Sequence, residues 1–168
     1  MTPRRWLPIM FSGPMVLAIL ADLKTQTRRL AKPRHLRDDR LYVREGLKVM
    51  SIGHADALFY AADGAGVLPT GGFYPRDFKM PARRHVPSMH APRWTTRAAL
   101  EVVDVWSEKL LDISDEDVIA EGFESRDEMR ALWKKFHGNG SWDLGPTVWV
   151  TGFMRLPDTV LPAARGKK

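Results

Sequence analysis

The chain is predicted to be an α+β protein built from short elements, on three observations. Hydrophobic residues make up 44% and charged residues 27% of its 168 positions, which is ordinary globular composition. Twelve Pro and thirteen Gly punctuate it, so no element can run far. The spacing of apolar residues changes along the chain from helical to alternating and back, which mixes helices and strands. The length suits one domain, with a core large enough to need no staples.

In chain order, Leu7 to Phe11 reads as a first strand. Ser12 then caps a helix whose Pro14 occupies the first turn, where its missing N–H costs nothing. Leu17 and Leu20, with Met15, Ile19 and Leu23, recur at helical spacing, and the helix is predicted to continue to about Arg29, before Lys32-Pro33. Leu41 to Val43 is a strand. From about Gly46 to Pro92 the pattern dissolves into Gly, Pro, His and isolated aromatics, which predicts a long loop insertion with small strands around Ala57 to Ala61. Ala98 to Trp106 alternates as a half-buried strand. Ser114-Asp-Glu-Asp117 starts a short helix that Gly122 stops. Ser125 to Glu128 is a capping box, followed by Met129, Leu132, Trp133 and Phe136 as an apolar stripe whose two aromatics are expected in the core. Thr147 to Leu156 is the last strand. The reading is a single domain over residues 1–156 with the insertion at 46–92, and a flexible basic tail over 157–168.

Charge is uneven. Residues 1–100 carry 17 basic and 7 acidic side chains, residues 101–130 carry 3 and 11, and residues 131–168 carry 6 and 2, for a net charge of +6. A basic first half suits a phosphate-bearing or nucleic-acid partner, and it equally suits two surfaces of opposite sign that face each other in the fold. Cysteine is absent, so disulfides, thiolate metal sites and a thiol nucleophile are excluded, and a reducing cytoplasm is the expected setting. Arg4 and Arg5 ahead of Val16 to Leu20 imitate a secretory signal. The imitation is broken by Ser12-Gly13-Pro14 and by Asp22 and Lys24, and no stretch reaches the roughly 18 apolar residues of a membrane span, so no membrane partner is expected.

The five histidines show no metal-ligand spacing, no phosphate-binding glycine loop is present, and no nucleophile elbow supports a serine triad. No metal and no organic cofactor is expected. Chemistry concentrates instead in Ala21 to Arg29. On the predicted helix Lys24 and Thr27 share a face, so that an amine can take the hydroxyl proton. The same spacing is met by a lysine favoured at a helix end and a threonine bonded back to a carbonyl. Arg28 and Arg29 extend a cationic patch that faces either phosphate or water.

Several segments together resemble the ASCH domain family, in the longer form found in bacteriophages and prophages. They are Phe11-Ser-Gly-Pro-Met15, Leu23-Lys-Thr-Gln-Thr-Arg-Arg-Leu30, Asp39-Arg-Leu-Tyr-Val-Arg-Glu45, Ser88-Met-His-Ala-Pro-Arg-Trp94, Leu111-Asp-Ile-Ser-Asp-Glu116, Ala120-Glu-Gly122 and the Trp149 strand. The resemblance runs from about residue 7 to residue 156. It implies a PUA-like fold, a small β-barrel with short helices packed at its ends and a cleft for nucleic acid or a nucleoside. It also implies two activities: amidohydrolysis of cytidine acylated on its exocyclic amine (N4-acetylcytidine and relatives), or RNA binding and processing. In the amidohydrolases a Lys and a Thr of a Lys-Thr-x-Thr motif act with a Glu, positions that match Lys24, Thr27 and Glu121 here. Glu121 comes just before the helix stop at Gly122. On this reading Lys24 is the base, Thr27 the nucleophile or water-positioning hydroxyl, and Glu121 the proton donor. Arg28, Arg29, Arg44 and Trp94 are the candidates for contacting sugar, phosphate or base. The rival is an RNA-binding module that breaks no bond.

Overall fold

The computed structural model describes residues 4–68 and 72–161. Its class is α+β, as expected from the sequence: eight strands, three α-helices and several single 3₁₀ turns among the described residues. They group into two compact units, one holding residues 4–5, 18–40 and 100–155, the other residues 6–17, 41–99 and 156–161.

Helix α1 (Gly13–Leu20) begins in the second unit and ends in the first. It stops nine residues earlier than the apolar pattern predicts. Asp22 takes a left-handed conformation (φ 57°), Leu23 N–H donates to Ala18 O at 2.9 Å and Asp22 N–H to Ile19 O at 3.0 Å. That is a Schellman end, with Asp in the place glycine usually fills. Gln26–Arg29 is therefore not helix but strand β2, so Lys24 and Thr27 do not share a helical face.

In the first unit β2 pairs antiparallel with β8 (Thr147–Arg155), and β8 with β7 (Ala99–Lys109), giving the order β7-β8-β2. Val103 is extra in the β7–β8 ladder, a bulge between Val102 and Asp104. The helix starts behave as the sequence indicates. Ser114 caps α2 (Asp115–Ala120) by accepting from Asp117 N–H at 3.0 Å, and Ser125 caps α3 (Arg126–His137) by accepting from Glu128 N–H at 3.2 Å. Along α3, Met129 and Trp133 are buried, whereas Phe136 is 63% exposed and is no core residue. The stripe turns outward by its last member because Trp133 already packs against Trp142 (ring centroids 6.4 Å apart) and His137 (4.3 Å).

In the second unit β1 (Trp6–Met10) neighbours β3 (Arg40–Arg44). The region read as an irregular insertion carries β4 (Leu47–Ile52), β5 (Ala55–Tyr60) and β6 (His85–Val86), which form a sheet of their own in the order β5-β4-β6. Ile52 pairs with Ala55 around a two-residue turn that opens on Gly53 (φ 60°), a conformation that favours glycine. Leu47, Val49, Leu58, Tyr60, Val67, Val86 and Ala91 form a buried cluster, rimmed by Tyr74, Phe78, Met80 and Trp94. The tail falls partly outside the described residues: Asp158–Val160 is a 3₁₀ turn, and 162–168 are not described. Among the described residues, no helix is long and apolar enough to cross a membrane.

Candidate functional site

The first unit brings Lys24 and Glu121, 97 residues apart in sequence, into contact. Helix α2 ends as α1 does: Gly122 at φ 90°, its N–H donating to Ile119 O at 2.8 Å, and Phe123 N–H to Val118 O at 3.2 Å. Glu121 is the residue just before that glycine. A Cβ on Gly122 would lie 3.2 Å from the Cβ atoms of both Ala18 and Lys24, so the missing side chain lets the chain after α1 pass against the end of α2. Thr25 N–H donates to Ala120 O at 2.7 Å, and Lys24 Nζ donates to Glu121 O at 2.7 Å. An ammonium at the negative end of a helix is favourably placed.

Lys24 Nζ also donates to Glu121 Oε2 at 2.9 Å, with both side chains 5% exposed or less. The other carboxylate oxygen, Oε1, accepts from Arg28 Nη1 at 3.0 Å. Arg28, expected with Arg29 on a cationic patch facing phosphate or water and as a candidate substrate contact, is instead fully enclosed (side chain 0% exposed). It pairs with Glu108 at 2.8 Å, Asp117 at 3.2 Å and Glu121, and donates to Gln26 Oε1 at 3.0 Å. Gln26 in turn donates to Asp117 Oδ1 at 3.0 Å, and Trp106 Nε1 donates to Glu108 Oε2 at 2.9 Å. Burial pulls the Lys24 ammonium below the usual lysine range, an effect that Glu121 opposes and the charges of Arg29 and Arg28 reinforce.

Strand alternation sorts the rest. Gln26 and Arg28 project to the side of Asp117 and Glu121, so Thr27 and Arg29 project to the other. Thr27 is buried and lies directly across the ladder from Thr151, as Arg29 lies across from Trp149. His35 Nε2 is 2.8 Å from Thr151 Oγ1, and Lys32 Nζ stands 5.0 Å from the centroid of the Trp149 ring. Arg29 is exposed and links the two sides electrostatically. It acts on Lys24 and on His35, and Glu121 acts on it. Arg44 and Trp94 belong to the second unit. Arg44 Nη1 donates to Met89 O at 3.1 Å, and the Trp94 ring packs at 5.0 Å from Phe78 and 5.8 Å from Tyr74.

His35, Thr151, Glu108 and Asp117 were not singled out by sequence. One signal for them was present: Asp117 and Glu121 are four apart on a helix and so share a face, and Gln26 and Arg28 share a strand face that matches it. No local pattern pointed to His35.

No family model matches the chain, and no curated protein matches it. Among solved structures it is similar to an ASCH domain from Lactobacillus crispatus JV V101, at 11% identity and a TM-score of 0.49 over 90% of this chain and 79% of that one. It is also similar to hypothetical protein PH0355, at 9% identity and a TM-score of 0.48 over 90% and 99%. A third, protein EF3133 from Enterococcus faecalis V583, of the DUF984 family model, stands at 9% identity and 0.47 over 93% and 82%.

Proposed function

We propose that this protein hydrolyses the acyl amide on the exocyclic amine of cytidine nucleosides, using Lys24, Thr27 and Glu121. The observation that carries the reading is the enclosed Lys24–Glu121 contact at 2.9 Å, with burial drawing the lysine's pKa downward. A lysine that holds its proton less tightly than a surface lysine is the better placed of the two to act as a base.

The proton ledger closes with these groups. The cycle starts with the proton of the contact on Glu121 and Lys24 neutral; Thr27 Oγ1, or the water it positions, then adds to the acyl carbonyl and gives its proton to Lys24. The carbon–nitrogen bond breaks, and the departing cytosine amine takes a proton from Glu121, which recovers it from Lys24 across their contact. When Thr27 is itself the nucleophile, water then hydrolyses the acyl-threonine ester by the same route. The oxyanion is met by backbone N–H groups or by the Lys24 ammonium. Arg29, an exposed cation on β2 that interacts electrostatically with Lys24 and Glu121, contacts the sugar or a phosphate. Arg28 holds Glu121 and leaves substrate contact to others.

The test is incubation of the purified protein with N4-acetylcytidine, following release of cytidine by absorbance, beside Lys24→Ala, Thr27→Ala and Glu121→Gln. Turnover that falls at least ~100-fold in all three folded variants supports the reading. Turnover that survives them keeps the activity and removes these residues from it. Absence of turnover over a panel of acyl groups transfers the proposal to RNA binding, whose affinity falls steeply with salt where turnover of an uncharged nucleoside does not.

A further inference from the structure

The hydroxyl assigned as nucleophile is on the side of β2 away from Arg28, and that side has polar groups of its own. Thr27 and Thr151 are directly paired in an antiparallel ladder, where facing Cβ atoms lie about 4.5–5.5 Å apart, close enough for hydroxyls to hydrogen-bond. Thr151 is buried, at 3% exposure, and its Oγ1 is held by His35 Nε2 at 2.8 Å. A buried threonine placed between a histidine and a second threonine is an unusual expense in a ladder that valine would fill as well.

We propose that His35 is a positioning residue for Thr27, acting through Thr151: the imidazole Nε2 accepts from the Thr151 hydroxyl, whose oxygen then accepts from the hydroxyl of Thr27. The arrangement points one Thr27 lone pair outward and holds the hydroxyl in one orientation until attack, when its proton leaves Thr151 for the base. As a catalytic claim this rests on the amidohydrolase reading; as a claim about a linked triad of side chains it does not. Arg29 from β2, Asp39 and Arg5 are the charged groups that act on His35, the arginines disfavouring its cation and Asp39 favouring it. Burial disfavours the cation most, so the ring is neutral and able to accept at neutral pH.

The decisive experiment follows the histidine rings of the whole protein by NMR over pH, with the His35 signal assigned by its loss in His35→Gln. Thr151→Val removes the hydroxyl that stabilises the neutral ring, so the His35 titration moves upward by roughly half to one pH unit, the equivalent of one ordinary hydrogen bond. Thr27→Val, which leaves the His35–Thr151 contact itself in place, moves it the same way by less. A His35 titration unchanged by Thr27→Val overturns the linkage whether or not the protein turns over any substrate. In the activity assay Thr151→Val lowers kcat about 10-fold at near-constant KM, and Thr151→Ser restores it. The linkage seen by NMR without turnover in the native protein sinks the amidohydrolase reading alone. Turnover with equal kcat in native protein and Thr151→Val sinks the positioning role alone.

Discussion

Each unit buries ionic side chains, and the two do so to different ends. In the second unit Arg97 forms a two-pronged pair with Glu45 at 2.8 Å, reaches Asp63 at 2.7 Å and lies 3.9 Å from the centroid of the Tyr60 ring. Its side chain remains 18% exposed, and the pairing ties the segment leading into β7 to the residues just before β4 and just after β5. In the first unit Lys24, Arg28 and Glu121 are enclosed, with the lysine's pKa drawn downward where that of Arg97 is driven up. A cation satisfied by carboxylates at a surface is a fastening. A lysine kept in the interior at a desolvation cost, touching one carboxylate oxygen while an arginine takes the other, is the arrangement on which the proposed proton exchange rests.

The largest expected effect comes from Arg28→Met, which strands Glu108, Asp117 and Glu121 without their shared cation. It should cost about 3–5 kcal/mol of stability in urea unfolding and abolish turnover. Its counterpart Arg97→Met should cost about 1–3 kcal/mol and leave kcat unchanged. Equal effects of the two on activity would erase the distinction between the clusters. Gly122→Ala places a methyl group 3.2 Å from Ala18 and Lys24 at a φ of 90°, and should cost about 1–3 kcal/mol while lowering kcat through the displaced lysine. A thermal melt with kcat measured on the same sample separates those two losses.

The smallest effects are in pH dependence, and the units respond at opposite ends. His35 in the first unit has its pKa lowered from 6.5, so the unfolded chain binds its proton first. That contribution to stability is complete above 6.5 and is lost as pH falls through the lowered value. Tyr60 in the second unit is pushed up to about 12, chiefly by burial, and its hydroxyl donates to Thr95 O at 2.8 Å. Its contribution is complete below pH 10 and is lost as pH rises toward 12. Urea midpoints over pH should show the acid slope flattened in His35→Gln and the alkaline slope flattened in Tyr60→Phe. Each variant altering the other's slope would refute the assignment.

The sequence showed the helix starts and the stop of α2, because Ser114, Ser125 and Gly122 act on backbone groups three or four residues away. It misplaced the end of α1 by treating Leu23 as a helical apolar residue, when Asp22 had already turned the chain. The small strand expected around Ala57 to Ala61 corresponds to β5, but its partner β4 escaped notice because only Leu47 and Val49 in it are buried, too few to stand out among Gly, Pro and His. Lys24 and Glu121 were legible as residue types in a motif. Their meeting, like the enclosure of Arg28 among carboxylates up to 93 residues away, was not.

What the sequence by itself determined is therefore local: an α+β chain of short elements, the caps that begin its helices, and a lysine, a threonine and a glutamate worth testing. Only the tertiary structure decided which face of β2 each side chain serves, that Arg28 is an internal clamp, that Phe136 is exposed, and that His35 stands behind Thr151. Caps and turns are satisfied within one turn of chain, whereas a buried charge must find its partner across the fold, and no window of neighbouring residues contains that partner.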